Sequence, residues 1–555
     1  MKIPGEKAAR LQFFRETADT LARSMQARRT RYARLRQRYL YGLDDGAARY
    51  NKIYSQIGTL SGYLFAQNSV RFSVTPGPSV SGDGAPLYEA SAERLRQLWN
   101  NAGADPVVSN QVRWSLVYGF AAVKMLWQNE QLQVFPVDPG ALGVWREDLD
   151  SLDGQEAILH TLSMDEPSLR RLLELQGMAA GEIERRLTGA GEGSSEPATP
   201  GSGTPIIGMM QPIVFAPTAG SAGGVSGLGA SMPADYAPSS GVRNFELQEM
   251  WLWDDADSDW RVVTLLDREH VIFDRKNPLL PAEHPFAAFV PETLGDYLWG
   301  FSLVDSLVPL QAWREKRMNQ LDRLFQRQVN PPMVVSGFMG GITDEKASDL
   351  MKRGGAISSQ TPGAKIELLT PQMPPAAFGE INEIDAMFSE TVGLSGLMQG
   401  QTSAHVRNAA QVGAMMQAGS GRLVRRALAI EQTLVRIAKL LYLITRLYDK
   451  RPLLADDGQR AAPVQLGEDA QVGVALHSAS PLFGAMIAEQ ATHMLETGII
   501  DGESFLDLTQ PPMTELLKQR LHKKEQQQQA MMQQIMSRLP PEAALQLLKG
   551  KGAHH

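Results

Sequence analysis

The stretch from Phe301 to Gly413 constrains this 555-residue chain more than any other. It opens with FSLVDSLVPLQAWREKRMNQLDRLFQRQ. There Leu303, Leu307, Leu310, Leu321, Leu324 and Phe325 recur at helical spacing over much of the segment. A second helical segment, PPAAFGEINEIDAMFSETVG, aligns Phe378, Ile381, Ile384, Phe388 and Val392, with Pro374 and Pro375 suited to its first turn. A short α/β insert separates the two. A Gly- and polar-rich loop, GLSGLMQGQTSAHVRNAAQVG, follows, and then helical period from Asn408 to about Tyr448. A straight helix of that length would measure roughly 60 Å at 1.5 Å per residue. Few monomeric domains bury such a helix, so packing between copies is expected. Gly419-Ser420-Gly421 is the expected kink, and Pro309 marks either a kink or the true start of the first helix. This order of elements suggests an assembly protein rather than an enzyme.

Charge divides the two flanking helices. Lys316, Arg323 and Arg327 share one face of the first, whereas the second carries only acids, among them Glu380, Glu383 and Asp385. The helices are therefore expected to be neighbours, within one subunit or across subunits, with those acids as contacts that set register. In the insert, PPMVVSG, AIS and KIELL read as strands, and Thr343 to Gly354 as a helix with complementary charges at its ends. The insert is too small for a core of its own. Met333, Val334, Val335, Ile366 and Leu368 are expected to form an interface, completing sheets with another copy.

The N-terminal third reads as mixed α and β. Residues 6–41 form an amphipathic helix, and from Lys2 to Arg38 there are 11 Lys or Arg against three acids. A solvated face is preferred there over a nucleic-acid patch. Helices are expected at about Ala47–Phe65, Tyr88–Trp99 and Val107–Tyr118. A strand is expected at VRFSV, and paired strands at AAVKMLWQ and LQVFPV. Residues 189–242 are rich in Gly, Ser and Pro and read as an insertion or a linker. LQEMWLWD and WRVVTLLD then make a hairpin, followed by REHVIFD. Asp255, Asp257 and Asp259 imitate a calcium loop, but Trp260 stands where that loop needs Gly and Leu266 where it needs Glu, so a polar turn is expected. VQLGEDAQVGVAL reads as a strand region. Helices follow at Phe483–Thr497, Gly502–Leu508 and Pro512–Ile535, the last of them Gln-rich.

Composition excludes several chemistries. There are no cysteines, so disulfides, thiolate metal sites and cysteine nucleophiles are impossible, which fits a reducing origin. A net charge of −7 argues against a basic nucleic-acid binder as a whole but leaves room for a local basic ring. No signal-peptide core is evident in MKIPGEKAARLQFF, and no run approaches the roughly 20 apolar residues of a membrane span. P-loop, HExxH, GxSxG and paired metal-ligand patterns are absent, so no catalytic residue, metal or cofactor is expected. His405, with Gln401, Thr402, Ser403, Arg407 and Asn408, reads as part of a hydrogen-bonding contact loop.

The run HPFAAFVPETLGDYLWGFSLVDSLVPLQAWREKRMNQLDRLFQRQVNPPMVV resembles the wing-to-stem passage of tailed-bacteriophage portal proteins. The order helix, insert, helix, loop and long bent helix is similar too. RNAAQVGAM resembles the start of the long helix in short-tailed phage portals, and TGIIDGESFLDLT with the Gln-rich helix resembles a crown. The resemblance covers residues 250–535 or so. It implies a helix-rich, mixed α+β portal fold. A wing would span 1–297 with return strands at 450–478. The stem helices would be 298–328 and 374–394, the clip 329–373 and the tunnel loop 395–408. A long kinked helix would occupy 409–449 and a crown 479–555. The resemblance further implies a dodecameric ring at one capsid vertex of the virion, assembled in the host cytoplasm. The ring would pass double-stranded DNA during packaging and ejection. Its partners would be the capsid or scaffolding protein, the terminase large subunit and a head–tail adaptor, with no membrane. Lys316, Arg323 and Arg327 would form a basic girdle, and the loop from Gln401 to Asn408 would face DNA. Another ring-forming head–tail adaptor or baseplate protein is the alternative, and a nucleic-acid-processing enzyme a further one.

Overall fold

The computed structural model describes residues 1–43, 50–66, 70–75, 85–128, 130–175, 178–190, 244–268, 270–277, 279–329, 331, 333–336, 365–368, 377–394, 421–454, 460–463, 470–474 and 484–509, and the isolated positions 345, 349, 517, 520, 521, 523 and 524. The chain divides into two compact units, Met1–Ala479 and Ser480–His555. Residues 191–242 of the expected insertion, the expected helix from Thr343 apart from Glu345 and Asp349, the loop from Gln401 to Asn408, Gly419 and Ser420 of the expected kink and most of Pro512–Ile535 lie outside the described residues.

The first unit begins with α1 (Lys7–Tyr41), whose buried stripe is Phe14, Ala18, Leu21, Met25, Arg28, Tyr32, Leu35 and Tyr39. The three- and four-residue spacing is the one a helix needs to bury a single face. That face lies on a five-stranded antiparallel sheet, ordered β4 (Leu142–Val144), β5 (Ala157–Asp165), β6 (Asn244–Asp254), β7 (Asp259–Leu266) and β8 (His270–Lys276). Phe14, Ala18, Leu21 and Met25 pack on Ala157, Leu159, Met250, Leu252, Val263 and Leu265. Those strand residues alternate with a second set on the opposite face, as the two-residue period of a strand requires.

The opposite face has two covers. At one end α5 (Glu166–Leu175) and α6 (Ala180–Ala190) bring Leu169, Leu172, Leu173, Ile183 and Leu187 onto Leu162, Phe245, Leu247 and Leu266. Toward the middle stands a three-stranded sheet, ordered β3 (Gln131–Val137), β2 (Ala121–Gln128) and β9 (Phe286–Phe289). The expected pairing of AAVKMLWQ with LQVFPV is present, with Ala122 opposite Val137 and Gln128 opposite Gln131. The hairpin β6–β7 is present as well, with Leu247 opposite Leu266 and Asp254 opposite Asp259. Asp259 Oδ1 accepts the Trp260 and Ala282 N–H groups in the turn region. No cluster able to hold a metal ion occurs among the described residues. β4, β5, α5 and α6 fall in a stretch whose periodicity sets no expectation.

Three further helices surround this core: α2 (Lys52–Leu64), α3 (Ala85–Asn101) and α4 (Ala104–Tyr118). β1 (Phe72–Thr75) pairs antiparallel with β14 (Gln471–Val474), so the chain returns to its N-terminal third near its residue 470. β12 (Pro452–Leu454) and β13 (Arg460–Pro463) pair with each other.

The central stretch forms α7 (Leu303–Val329), α8 (Ala377–Val392) and α9 (Gly421–Tyr448), and no described helix is long and apolar enough to cross a membrane. α7 runs through Pro309, which sits in its interior rather than at its start. The insert contributes β10 (Met333–Ser336) and β11 (Lys365–Leu368), which pair antiparallel within the chain, Met333 opposite Leu368 and Val335 opposite Ile366.

In the second unit, α10 (Gly484–Glu496) ends at Gly498, whose φ of 73° lets the Gly498 and Ile499 N–H groups fold back onto the Leu495 and Met494 carbonyls. Asp501 Oδ1 accepts the Ser504 N–H and caps α11 (Gly502–Thr509). The word TGIIDGES is thus one helix stop followed by one helix start.

Candidate functional site: a helical hairpin and its socket

α7 and α8 lie side by side as an antiparallel hairpin within one chain. Arg314 Nε donates to Asp385 Oδ1 at 2.8 Å, and Arg317 pairs with Glu380 at 2.7 Å. Below them, Phe325 and Phe378 bring their rings to 6.3 Å. Charge complementarity between the basic and the acidic helix therefore operates inside the subunit. Glu380 and Asp385 are both engaged there, whereas Glu383 is exposed.

The apolar stripes differ from the periodic reading. On α7 the buried set is Leu303, Val304, Leu307, Gln311, Arg314 and Leu321, so two polar side chains take positions next to the expected leucines. Gln311 is fully buried because all its groups are used. Its Oε1 accepts the Lys52 N–H, and its Nε2 donates to the Tyr50 carbonyl and to Glu315. Lys52 Nζ also reaches Asp385 at 3.4 Å, and the Arg314 guanidinium lies over the Tyr50 ring at 5.0 Å. On α8, Ile384, Phe388 and Val392 are fully buried, whereas Phe378 is half exposed. The start of α2 is thus the point at which the hairpin is fastened to the body of the unit.

The socket around the top of α7 is built from aromatic and charged groups that sequence reasoning quoted only as words. Trp299 is buried under the Arg28 guanidinium at 3.5 Å and packs edge-on against Phe120. Arg28 also bonds Glu147 and the Leu142 carbonyl, and Arg31 pairs with Asp305 at 2.8 Å. Arg29 donates to the Gly140 carbonyl and Arg10 pairs with Asp274. Much of the basic face of α1, expected to be solvated, is consumed by these internal contacts. Ser302 Oγ donates to the Val117 carbonyl at the very start of α7.

His284, in HPF, is 2 % exposed. Its Nδ1 accepts the Phe286 N–H, so Nε2 carries the proton and donates to the Leu152 carbonyl. Burial, reinforced by Arg436, pushes its pKa down to about 4. Phe286 then projects between the two sheets, edge-on to His160 and Trp251. Beside it lies a fully buried ion pair, Lys124 Nζ with both Glu249 oxygens at 2.9 Å, and Trp251 Nε1 donates to the same carboxylate. Burial, countered by Glu249, lowers the Lys124 pKa.

The C-terminal end of α8 is held by the start of α9. Gly393, at φ 86°, turns the chain so that the Gly393 and Leu394 N–H groups return to Ser389. Arg426 Nη1 donates to the Val392 carbonyl, a cation at a helix C-terminus, and Arg426 Nε bonds Glu292 at 2.8 Å. Burial works against the Glu292 charge, but Arg426 and Arg425 hold its carboxyl below the ordinary value. Farther along, Thr433 donates to the Ala288 carbonyl, Arg436 pairs with Glu283 at 2.6 Å and Tyr448 donates to the Leu279 carbonyl. These contacts strap α9 along β9 and the segment before it.

Of the expected site residues, Lys316, Arg323 and Arg327 all lie exposed on α7, away from α8. Met333, Val334, Val335, Ile366 and Leu368 lie in the β10–β11 pair. Gln401, Thr402, Ser403, His405, Arg407 and Asn408 lie outside the described residues. Arg28, Lys124, Glu249, His284 and Arg426 are the structurally decisive buried charged and polar side chains that periodicity misses. The only sequence signal for them is a charged or imidazole side chain inside an otherwise apolar run, as Lys124 is in AAVKMLWQ.

Residues 232–476 match the family model for the phage SU10 portal protein. That region is similar to phage portal proteins. No curated protein matches the chain. The resemblance carried by HPF, WG and the helix–insert–helix order is thereby borne out, and the match supports a phage portal role. The portal-like span includes α7, α8 and α9, but not α1, α2 or α4. Half of the socket is thus supplied from outside it, by Arg28, Lys52 and the Val117 carbonyl, and the two parts form one compact unit.

Proposed function

We propose that this chain is the repeating subunit of a phage portal: a ring, twelvefold by family resemblance, at one vertex of the capsid. Double-stranded DNA enters and leaves the head through its channel. The observation that carries this reading is the portal-family match across a two-helix hairpin. That hairpin is fixed to a mixed α+β body, and a small antiparallel strand pair joins its two helices.

In this reading the body is the wing, α7 and α8 the stem, β10–β11 the clip and residues 479–555 the crown. Repetition around a ring turns one exposed cation per subunit into a girdle, so Lys316, Arg323 and Arg327 become a belt of positive charge beside the phosphates. Such contacts are independent of sequence and weaken with salt. The surrounding chain is acidic overall, which suits a conduit that lets DNA slide. Gln401, Thr402, Ser403, His405, Arg407 and Asn408 are proposed as the DNA-facing loop. Met333, Val334, Val335, Ile366 and Leu368 are proposed as contacts between clips. The capsid or scaffolding protein, the terminase large subunit and a head–tail adaptor are the proposed partners, and the role is structural rather than enzymatic.

Negative-stain images of the purified protein test this reading. Closed rings with a central channel are expected. A monomer at every concentration and salt condition would overturn it.

A further inference from the structure

We infer that Trp313 of one copy seats against Tyr50 of the next, that Lys316 meets the next copy's Glu315 beside it, and that this contact propagates the ring. The inference rests on the ring reading above and names the surfaces that close it. Gln311 and Trp313 are two residues apart on α7, so they point about 200° apart around the helix. The same holds for Asp385 and Met387 on α8. Gln311 and Asp385 both reach the start of α2, the first through the Lys52 N–H and the Tyr50 carbonyl, the second through Lys52 Nζ. Trp313 and Met387 therefore both lie on the flank of the hairpin turned away from α2, and each is 37 % exposed. The Arg314–Asp385 bond puts them at nearly one height, so they make a single apolar patch on that flank.

The opposite flank carries the foot of α2. Tyr50 is 52 % exposed there, and its ring lies under the Arg314 guanidinium at 5.0 Å. Arg314 follows Trp313 in the helix, so Tyr50 stands level with Trp313 on the other side of the hairpin. Charge divides in the same way. Lys316, Arg323 and Arg327 fall within an arc of about 40° next to Trp313, whereas Glu315 and Asp322 fall on the α2 side of α7. Glu315 accepts from Gln311, which is itself bonded to the start of α2. Consecutive helical residues differ by only about 1.5 Å in height, so Lys316 is level with Glu315 and Arg323 with Asp322. Two unlike flanks that complement each other at one height join copies head to tail, the arrangement that closes into rings rather than two-fold dimers. Copies related by rotation about one axis keep their heights, so each Trp313 faces a Tyr50 and each Lys316 a Glu315. Two aromatic side chains edged by a charge pair have the composition of an interface centre, and Met387 adds a flexible thioether beside them. Arg327 stands between two glutamines, Gln326 and Gln328, so the contact leaves it in the DNA-facing belt.

The chain has no cysteine, so engineered thiols report contacts without background. The Trp313→Cys/Tyr50→Cys double variant, treated with a short bis-maleimide, should give a covalent ladder rising beyond the dimer. Within one chain the body of α7 stands between the two thiols. Each single variant should stay uncrosslinked, and an equimolar mixture of the singles should stop at the dimer. A second measurement leaves both aromatic side chains in place. Lys316→Glu should raise the concentration needed for ring assembly by at least about tenfold. Adding Glu315→Gln, which keeps an acceptor for Gln311, should reverse most of that shift. Rings of the double-cysteine variant without a ladder would overturn this contact and leave the portal reading intact. So would crosslinking of either single variant, or assembly of Lys316→Glu at the parent's concentration. Absence of rings in the unmodified protein would overturn both.

Discussion

Gly119 and Gly300 meet backbone to backbone where the body of the unit gives way to α7. A methyl group on Gly300 would stand 2.6 Å from the Gly119 carbonyl oxygen, and one on Gly119 would stand 2.6 Å from that of Trp299. Both residues have positive φ, 89° and 56°, and Gly119 also ends α4 by donating to the Ser115 carbonyl. The WG word thus marks a place where two chain segments touch with no room for a Cβ. Gly300→Ala is expected to destabilise the first unit by about 2–4 kcal/mol, combining left-handed strain with overpacking. Gly295→Ala serves as the control: its φ is also positive, at 85°, but nothing lies within 4 Å. It should cost only the strain, about 1–2 kcal/mol. Thermal unfolding midpoints of the two variants separate the contributions, and equal shifts would refute the close-approach account.

The Lys124–Glu249 pair makes a second prediction, through its complete burial. Lys124→Met leaves the Glu249 carboxylate without its cation between two sheets, with Trp251 Nε1 still donating to it. The expected loss is about 3–5 kcal/mol. Lys124→Met/Glu249→Leu removes both charges and should recover most of that loss, because desolvation is then no longer opposed by a lost partner. A double-mutant cycle read by urea denaturation checks this. Simple additivity of the two single losses would show that the pair is not coupled.

Acid should weaken the first unit through its buried histidines. His284 has a folded pKa of about 4 against 6.5 unfolded, and burial with Lys124 nearby pushes His160 well below 6.5. A histidine held neutral stabilises fully above its unfolded pKa and loses that contribution as pH falls toward its folded one. For His284 the window runs from about 6.5 to 4 and is worth about 3 kcal/mol. The groups facing it are Arg436, Glu283, Asp153, the Leu152 carbonyl and Trp260. Asp138 acts in the opposite sense. Burial pushes its carboxyl up to about 6, so acidification between about 6 and 3.8 favours the folded state. The unfolding midpoint of His284→Gln should accordingly fall less steeply over that range than the parent's, and that of Asp138→Asn more steeply.

What could be read in advance was local. Helical period located α1, α7, α8 and α9, and alternation located β2, β3, β6 and β7, because each buries one side chain per turn or per two residues. The turn at Asp254–Asp259 was legible as a failed calcium loop from Trp260 and Leu266 alone. Polar burial was not legible. Gln311 and Arg314 look like solvent-facing positions until Tyr50, Lys52 and Asp385 are brought to them by α2 and α8. Arg28 reads as one more charge on a basic helix, yet its partners Glu147 and Trp299 lie more than a hundred residues away. Acidity on α8 suggested that the two helices are neighbours, within one subunit or across subunits. Glu380 and Asp385 find arginines on α7 of the same chain, and only the structure separates them from Glu383.

Arg426 ties three pieces of chain together, and removing it should loosen one of them selectively. Its guanidinium binds the Val392 carbonyl at the end of α8 and Glu292 in the segment leading to α7, while its backbone belongs to α9. A buried charge-assisted hydrogen bond of this kind contributes about 1.5–3 kcal/mol, and its loss leaves the Val392 carbonyl unsatisfied. Arg425 still pairs with Glu292 in an Arg426→Met variant, so that carboxylate keeps a cation. Among the described residues its hydrogen bonds go to Glu292 and Val392 and to no strand, so the sheets should keep their stability. Amide hydrogen exchange is therefore expected to accelerate in Ser389–Leu394 and in the first turns of α9, with β5, β6 and β7 unchanged. Uniform acceleration across the unit would mean that Arg426 supports the whole fold rather than the junction between α8 and α9.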